Sequence, residues 1–286
     1  MTLATRHKTA LARLAVEPVI AARRLAGRGP ELETTRRGIR WHLDLREGID
    51  FAIWLLGAFE PGTRRAYTRM IEPGDVVVDI GANVGAHTLQ FATLVGDAGR
   101  VIAFEPTAFA FRKLEANLAL NPDLAQRVTA VQAALVGAPG ESLPAQLYSS
   151  WPLGSSGDLH PKHRGEARGT EGARAATLDE LLREAAVERV DLLKIDVDGH
   201  ECDVLRGAGE TLRAHSPPIL LELAPYIFED AGSSVGELTG LIDEAGYALF
   251  EFRDSRALPS DPERLAGLVP DGGSINAVAR RTAHAG

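Results

Sequence analysis

From Val76 onward, short apolar runs alternate with longer stretches in which apolar residues recur every three or four positions. The runs at Val76–Ile80, 101–104, 128–135, 190–195 and Ile219–Leu223 are mostly apolar on both faces, as strands covered from two sides must be. Helical periodicity fills the intervals at 85–94, 108–120, 178–186, 201–214 and 235–245, and 247–252 and 274–280 predict two closing strands. This alternation predicts a doubly wound α/β fold around a largely parallel sheet. Upstream, alternation around Ile39, Trp41, Leu43 and Leu45 predicts a strand pair within 35–54, and a helix begins at 51–56 and continues over 61–70. In residues 1–30, Leu11, Leu14, Val19, Ile20 and Leu25 interleave with Arg6, Lys8, Arg13, Arg23, Arg24 and Arg28. These spacings predict one or two short amphipathic helices, with Pro18 starting the second. The expected organisation is a basic helical arm over 1–34, a lead-in over 35–74 packed on the core, and the α/β domain over 75–286. Segment 137–176 breaks the rhythm, being rich in Gly, Ser, Pro and Arg. Its Tyr148 and Trp151 offer rigid contact surface, so a substrate lid is preferred to a poorly ordered spacer.

The chain has 286 residues and a net charge of −8, unevenly spread. Residues 1–40 hold nine Lys/Arg against Glu17, Glu31 and Glu33, a sum of +6, which leaves −14 for the remainder. Such an acidic body repels phosphate backbones and argues against a nucleic-acid partner. The basic arm reads as a solvated helix packed on the domain in preference to a weak dock onto an anionic membrane or a partner, because a basic helix alone is weak evidence for docking. No apolar run approaches the about 18–20 residues of a membrane span. Cys202, the single cysteine, cannot form an internal disulfide, and no Cys/His group has zinc spacing, so a reducing, cytoplasmic location is expected.

The strongest local signal is DIGANVG at 79–85, between a strand and a helix. Glycines there permit a sharp turn and close approach of a ligand to the main chain. Glu105 ends the next strand, where a carboxylate can accept hydrogen bonds from a ribose diol. A dinucleotide fold wants G-x-G-x-x-G, but Asn83 occupies its second glycine position and the loop reads G-x-x-x-G. Asp79 suits an ammonium better than a diphosphate. S-adenosylmethionine, with a ribose, an amine, a sulfonium and no phosphate, fits these features. The bland alternatives are a glycine turn without a ligand and a glutamate that caps a helix.

Together with FEP at 104–106, NLALNP at 117–122, TLDELL at 177–182 and KIDVDGHE at 194–201, the glycine loop resembles the FkbM family of S-adenosylmethionine-dependent methyltransferases, over about 48–280. The resemblance implies a seven-stranded Rossmann-like class I methyltransferase sheet with an antiparallel last strand. It also implies methylation of a hydroxyl on a sugar, glycolipid or polyketide-type natural product. By motif position, Asp79, Gly81, Asn83 and Gly85 would line the methionine end of the cofactor, Glu105 would hold the ribose, and Ala133 and Ala134 would flank the adenine. Asp198 stands where the family more often has Glu, and His200 where it often has Ala.

KIDVDGHE falls at the end of the fourth strand, and period-two alternation puts Lys194, Asp196 and Asp198 on one side. An ammonium beside Asp196 makes it a weaker base, suited to orienting a hydroxyl. His200 is better matched to taking a proton near neutral pH, although a cap or surface role accounts for it equally. Glu222 is a candidate to pair with Lys194 or contact substrate, and Trp151 and His160 are further acceptor contacts. Asp196, Asp198 and Glu222 could hold a divalent metal, but their spacing does not favour it. Glu201 and Asp203 are explained by the helix dipole, and Cys202 as a small buried side chain. The leading expectation is an O-methyltransferase acting on a small-molecule or glycan acceptor. A nicotinamide-dependent oxidoreductase and a catalytically silent nucleoside-binding scaffold are the competitors.

Overall fold

A computed structural model describes residues 5–154, 159, 165–252 and 254–282. Helix α1 (Thr5–Leu25) precedes a hairpin of β1 (Glu31–Arg36) and β2 (Ile39–Asp44), then α2 (Gly48–Leu56) and α3 (Pro61–Tyr67). Next come β3 (Val76–Ile80), α4 (Thr88–Val95), β4 (Arg100–Phe104), α5 (Ala108–Ala119), α6 (Pro122–Ala125), β5 (Val128–Val131) and β6 (Ala133–Leu135). An excursion carries β7 (Gln146–Ser150), β8 (Glu166–Gly169) and β9 (Arg174–Ala176). It leads into α7 (Leu178–Glu184), β10 (Leu192–Ile195), α8 (Glu201–Arg206), α9 (Gly209–His215) and β11 (Ile219–Leu223). The chain closes with α10 (Pro225–Phe228), α11 (Val235–Glu244), β12 (Tyr247–Glu251), α12 (Pro262–Ala266) and β13 (Ile275–Arg281).

Among the described residues, seven strands form the central sheet in the order β12-β13-β11-β10-β3-β4-β5. All run parallel except β13, which is antiparallel to both β11 and β12. This is the doubly wound, mostly parallel sheet with an antiparallel last strand. One apolar layer unites Val78, Ile80, Ile102, Leu193 and Leu221 with α7, α8, α9 and α11. The other packs Val77, Val101, Leu192 and Leu220 against Tyr67, Phe91 and Val95. From β3 the chain moves to β4 and β5 on one side, and only later to β10 and β11 on the other. The crevice between β3 and β10 is therefore a topological switch point, where loops diverge and leave room for a ligand.

Several expectations are corrected by pairings made far along the chain. The single strand expected over 128–135 is two, because β5 follows β4 whereas β6 turns away at Gln132 to pair with β9. The helix expected over 201–214 breaks after Arg206. There Gly207 passes so close to the carbonyl of Val136 that a Cβ would stand 2.4 Å from it, and the Gly207 carbonyl accepts from Asp179 N–H. The arm is one helix with Pro18 inside it, and β1 begins at Glu31 rather than at 35. Segment 137–176 contains an antiparallel β7–β8 pair, which Arg168 fastens to the body by stacking 3.9 Å over Phe109 and pairing with Glu47 at 3.4 Å.

Two of the sequence motifs prove to be joints. Asn117, fully buried on α5, donates to Val84 O at 2.9 Å and accepts from His42 N at 2.8 Å, tying the hairpin to the glycine loop. Asn121 repeats this one turn on, bonding both the N–H and the C=O of Arg40. In TLDELL, Thr177 and Glu180 form a capping box, while Asp179 accepts from the N–H groups of Glu210 and Thr211 at the start of α9. Asn117→Ala leaves a backbone donor and a backbone acceptor without partners and should cost about 2–4 kcal/mol. The check is the urea midpoint at unchanged slope; an unmoved midpoint would mean that solvent replaces the clamp.

Candidate active site

The parallel register sets Ile80 opposite both Phe104 and Ile195, so the loops after β3, β4 and β10 leave the sheet side by side. They enclose a cleft of about 1230 Å³. Beneath it, Lys194 is buried and its Nζ lies 3.0 Å from Asp79 Oδ1, 2.8 Å from Gly81 O and 3.5 Å from Asp196 Oδ2. Burial alone would lower the Lys194 pKa, but the carboxylates of Asp79 and then Asp196 reverse this and hold it above its ordinary value. Thr88 Oγ donates to the other Asp79 oxygen at 2.6 Å. Asp79 is thus fully buried and does not line the cleft. It anchors the loop from below.

Gly81 has φ +78°, and a Cβ there would lie 1.9 Å from the Asp196 carbonyl oxygen, so only glycine lets these two loops touch. Asn83 is also left-handed and donates its N–H to Glu105 Oε2 at 2.9 Å. The other Glu105 oxygen accepts from Thr107 N at 2.9 Å and Thr107 Oγ at 2.6 Å. Burial raises the Glu105 pKa, although these bonds oppose the shift. Gly81, Asn83, Glu105, Ala133 and Ala134 share the cleft wall; Gly85 packs on Leu114 behind it.

Across the cleft stand Asp196, Asp198, His200 and Glu222, and Trp151 lines it from the excursion. His160 lies outside the described residues. The turn at Asp198 (φ +47°) and Gly199 (φ +101°) is held left-handed, with Gly199 pressed against Ile227 and Ala231. Burial, with the charges of Asp196 and Glu201, pushes Asp198 well above the usual carboxylate range. Burial followed by Asp196 and Glu60 does the same to Glu222, which accepts a hydrogen bond from Ser274 Oγ. His200 directs Nδ1 to Asp203 Oδ2 at 3.3 Å, and the hydrogen bond from His200 holds Asp203 below its ordinary value, aided by Arg206. Cys202 is buried in the core, where burial pushes its thiol up to about 11. Among the described residues, no group of three or more His, Cys, Asp or Glu is placed to hold a metal ion.

Sequence reasoning missed Glu60, His87, Ser274 and Asn276, which also line the cleft. Asn276 stands opposite Glu222 through the β11–β13 register and donates to Glu60 at 3.2 Å. His87 sits within a cage of Phe59, Tyr67 and Phe91, and burial followed by the Lys194 charge lowers its pKa. For Glu60 and Asn276 no local signal existed, since 216 positions separate them.

Glu201 supports the loop after β10 by accepting Val197 N–H at 3.3 Å, and burial, only partly opposed by backbone N–H groups, pushes it up to about 7. The folded chain therefore keeps a proton that the unfolded chain releases near its ordinary value of 4.5. Glu201's contribution to stability falls as pH rises from about 4.5 to about 7, then levels. Glu201→Gln should be more stable than the parent above pH 7 by up to about 3 kcal/mol, with the difference vanishing in acid. Paired urea titrations across pH read this, and a difference independent of pH would refute it.

A family model described as Methyltransferase FkbM domain matches residues 79–249. Curated relatives include methyltransferase sdnD of Sordaria araneosa, 32% identical over 47% of this chain and 60% of that protein. Hexuronic acid methyltransferase AglP of Haloferax volcanii is 28% identical over 61% of this chain and 64% of its own length. The chain thus spans less than two thirds of either relative. Among solved structures, methyltransferase FkbM from Methylobacillus flagellatus aligns at TM-score 0.44 and 15% identity, covering 76% of this chain and 50% of that one. With the family model spanning the glycine loop, Glu105, the fourth-strand motif and Glu222, the chain belongs to the FkbM methyltransferase domain family.

Proposed function

We propose that this chain is an S-adenosylmethionine-dependent O-methyltransferase acting on a hydroxyl of a sugar, glycolipid or glycosylated or polyketide-type natural product. The observation that carries this reading is one cleft with the glycine loop and Glu105 on one side and Asp196 with the His200–Asp203 pair on the other. The residues fit the cofactor's parts. Glu105 Oε2 uses one acceptor position on Asn83 and keeps another for a ribose hydroxyl. Ile80, Ala133, Ala134 and Val136 give an apolar wall for an adenine. Asp196, Asp198 and Glu222 give the far side an acidic character that suits a cation.

When bound, S-adenosylmethionine would supply an electrophilic methyl on a sulfonium. Asp196, half-exposed and fixed by Lys194, accepts the hydroxyl's hydrogen bond and orients the oxygen. With Nδ1–H of His200 donated to Asp203, Nε2 carries the lone pair that takes the departing proton, and the Asp203 carboxylate stabilises the resulting imidazolium. Lys194 acts as a positioning residue, because its ammonium is occupied by Asp79 and the Gly81 carbonyl. The excursion over 137–176 serves as the substrate lid, bringing Tyr148 and Trp151 to the cleft. Likeness to a hexuronic acid methyltransferase supports a sugar acceptor.

Glu105→Ala should weaken cofactor binding at least about a hundredfold in calorimetry, and unchanged affinity would remove the ribose assignment. His200→Ala should lower kcat by about 10²–10⁴ in tritiated-methyl transfer while cofactor affinity holds, and full turnover across neutral pH would eliminate it as the base.

A further inference from the structure

We propose that α1 is a membrane-surface anchor, which lays an outer apolar stripe into the headgroup region of an anionic bilayer. The helix has two apolar faces. Val16, with Ala12, Val19 and Ile20, packs on Leu45, Phe51 and Leu153 and fixes the helix to the body. The opposite face carries Leu11, Leu14 and Leu25, which are 57, 72 and 92% exposed, with exposed Ala15, Pro18 and Ala22 between them. Positions 11, 14, 18, 22 and 25 recur every three or four residues, so they form one continuous stripe along a helix about 30 Å long. A helix that needed only to cover the domain would end its apolar sequence at the buried face; three leucines in water call for another occupant.

Charge identifies that occupant. Residues 1–40 sum to +6 while the rest of the chain sums to −14, and Arg24 and Arg28 are exposed at the C-terminal end of the stripe. A basic flank beside an apolar stripe is the pattern that settles at an anionic lipid surface, with leucines among the acyl chains and guanidinium groups at the phosphates. The acidic body is repelled by the same surface, which selects the orientation with the arm down. A second copy fits less well, because a symmetric contact through this helix would set two segments of +6 against each other. On α2, Leu55 and Leu56 add about half-exposed apolar area, and Leu56 also lines the cleft.

The test is sedimentation of the full chain with phosphatidylcholine vesicles, with and without phosphatidylglycerol, over a salt series. It needs no methyl acceptor and so stands apart from the assignment of the reaction. The chain should pellet only with phosphatidylglycerol vesicles and release as salt rises. L11S/L14S/L25S should weaken the partition at least about tenfold, with the thermal midpoint unchanged. R24E/R28E should weaken it as well, without touching the packed face. Failure to pellet with anionic vesicles at low salt would overturn the proposal, as would full binding by the triple variant. A dimer in light scattering that the triple variant dissolves would also overturn it, by assigning the stripe to a second copy.

Discussion

The site rests on a buried ion pair between neighbouring strands. Lys194 and Asp79 are register partners in the parallel β10–β3 ladder, and their side chains meet at 3.0 Å in the layer beneath the cleft. Two charges taken out of water are costly to bury and are retained only where further hydrogen bonds complete both shells. Here Thr88 donates to the Asp79 oxygen that the lysine does not face, and the carbonyl of Gly81 accepts from the lysine. The pair thereby fixes the path of the glycine loop to the strand that carries Asp196. Gly81, with no Cβ, can then lie directly on the Asp196 carbonyl. The two halves of the cleft are positioned by one interaction rather than by two independent loops.

Around that anchor the acids divide by environment. Asp203, bonded to His200 and Arg206, is held in the charged form, whereas burial pushes Asp198, Glu201 and Glu222 towards the neutral form. Divergent environments of this kind give carboxyl groups on one wall different tasks. A dense set of acids is tolerated because several of them need not be ionised together.

The family's other motifs serve the same end indirectly. Asn117 and Asn121 hold the hairpin to α5 and so back the glycine loop, and Thr177, Asp179 and Glu180 lock α7 to the start of α9. Residues that look chemical in a one-dimensional motif are here divided between the cleft and its supports, with Asp79 on the supporting side.

The amino-acid sequence by itself determined the strands of the parallel sheet, the helices between them, and the presence of Gly81, Asn83, Glu105 and the 194–201 motif at strand ends. These follow from periodicity, turn chemistry and a strand's direction, all of which act over a few residues. Only the tertiary structure decided that Asp79 is a buried partner of Lys194, that 128–135 divides between two sheets, and that Glu60 and Asn276 join Glu222. Each of these depends on which strands become neighbours and which loops press together. Such pairing is set by burial of the whole apolar surface, and no local pattern records it.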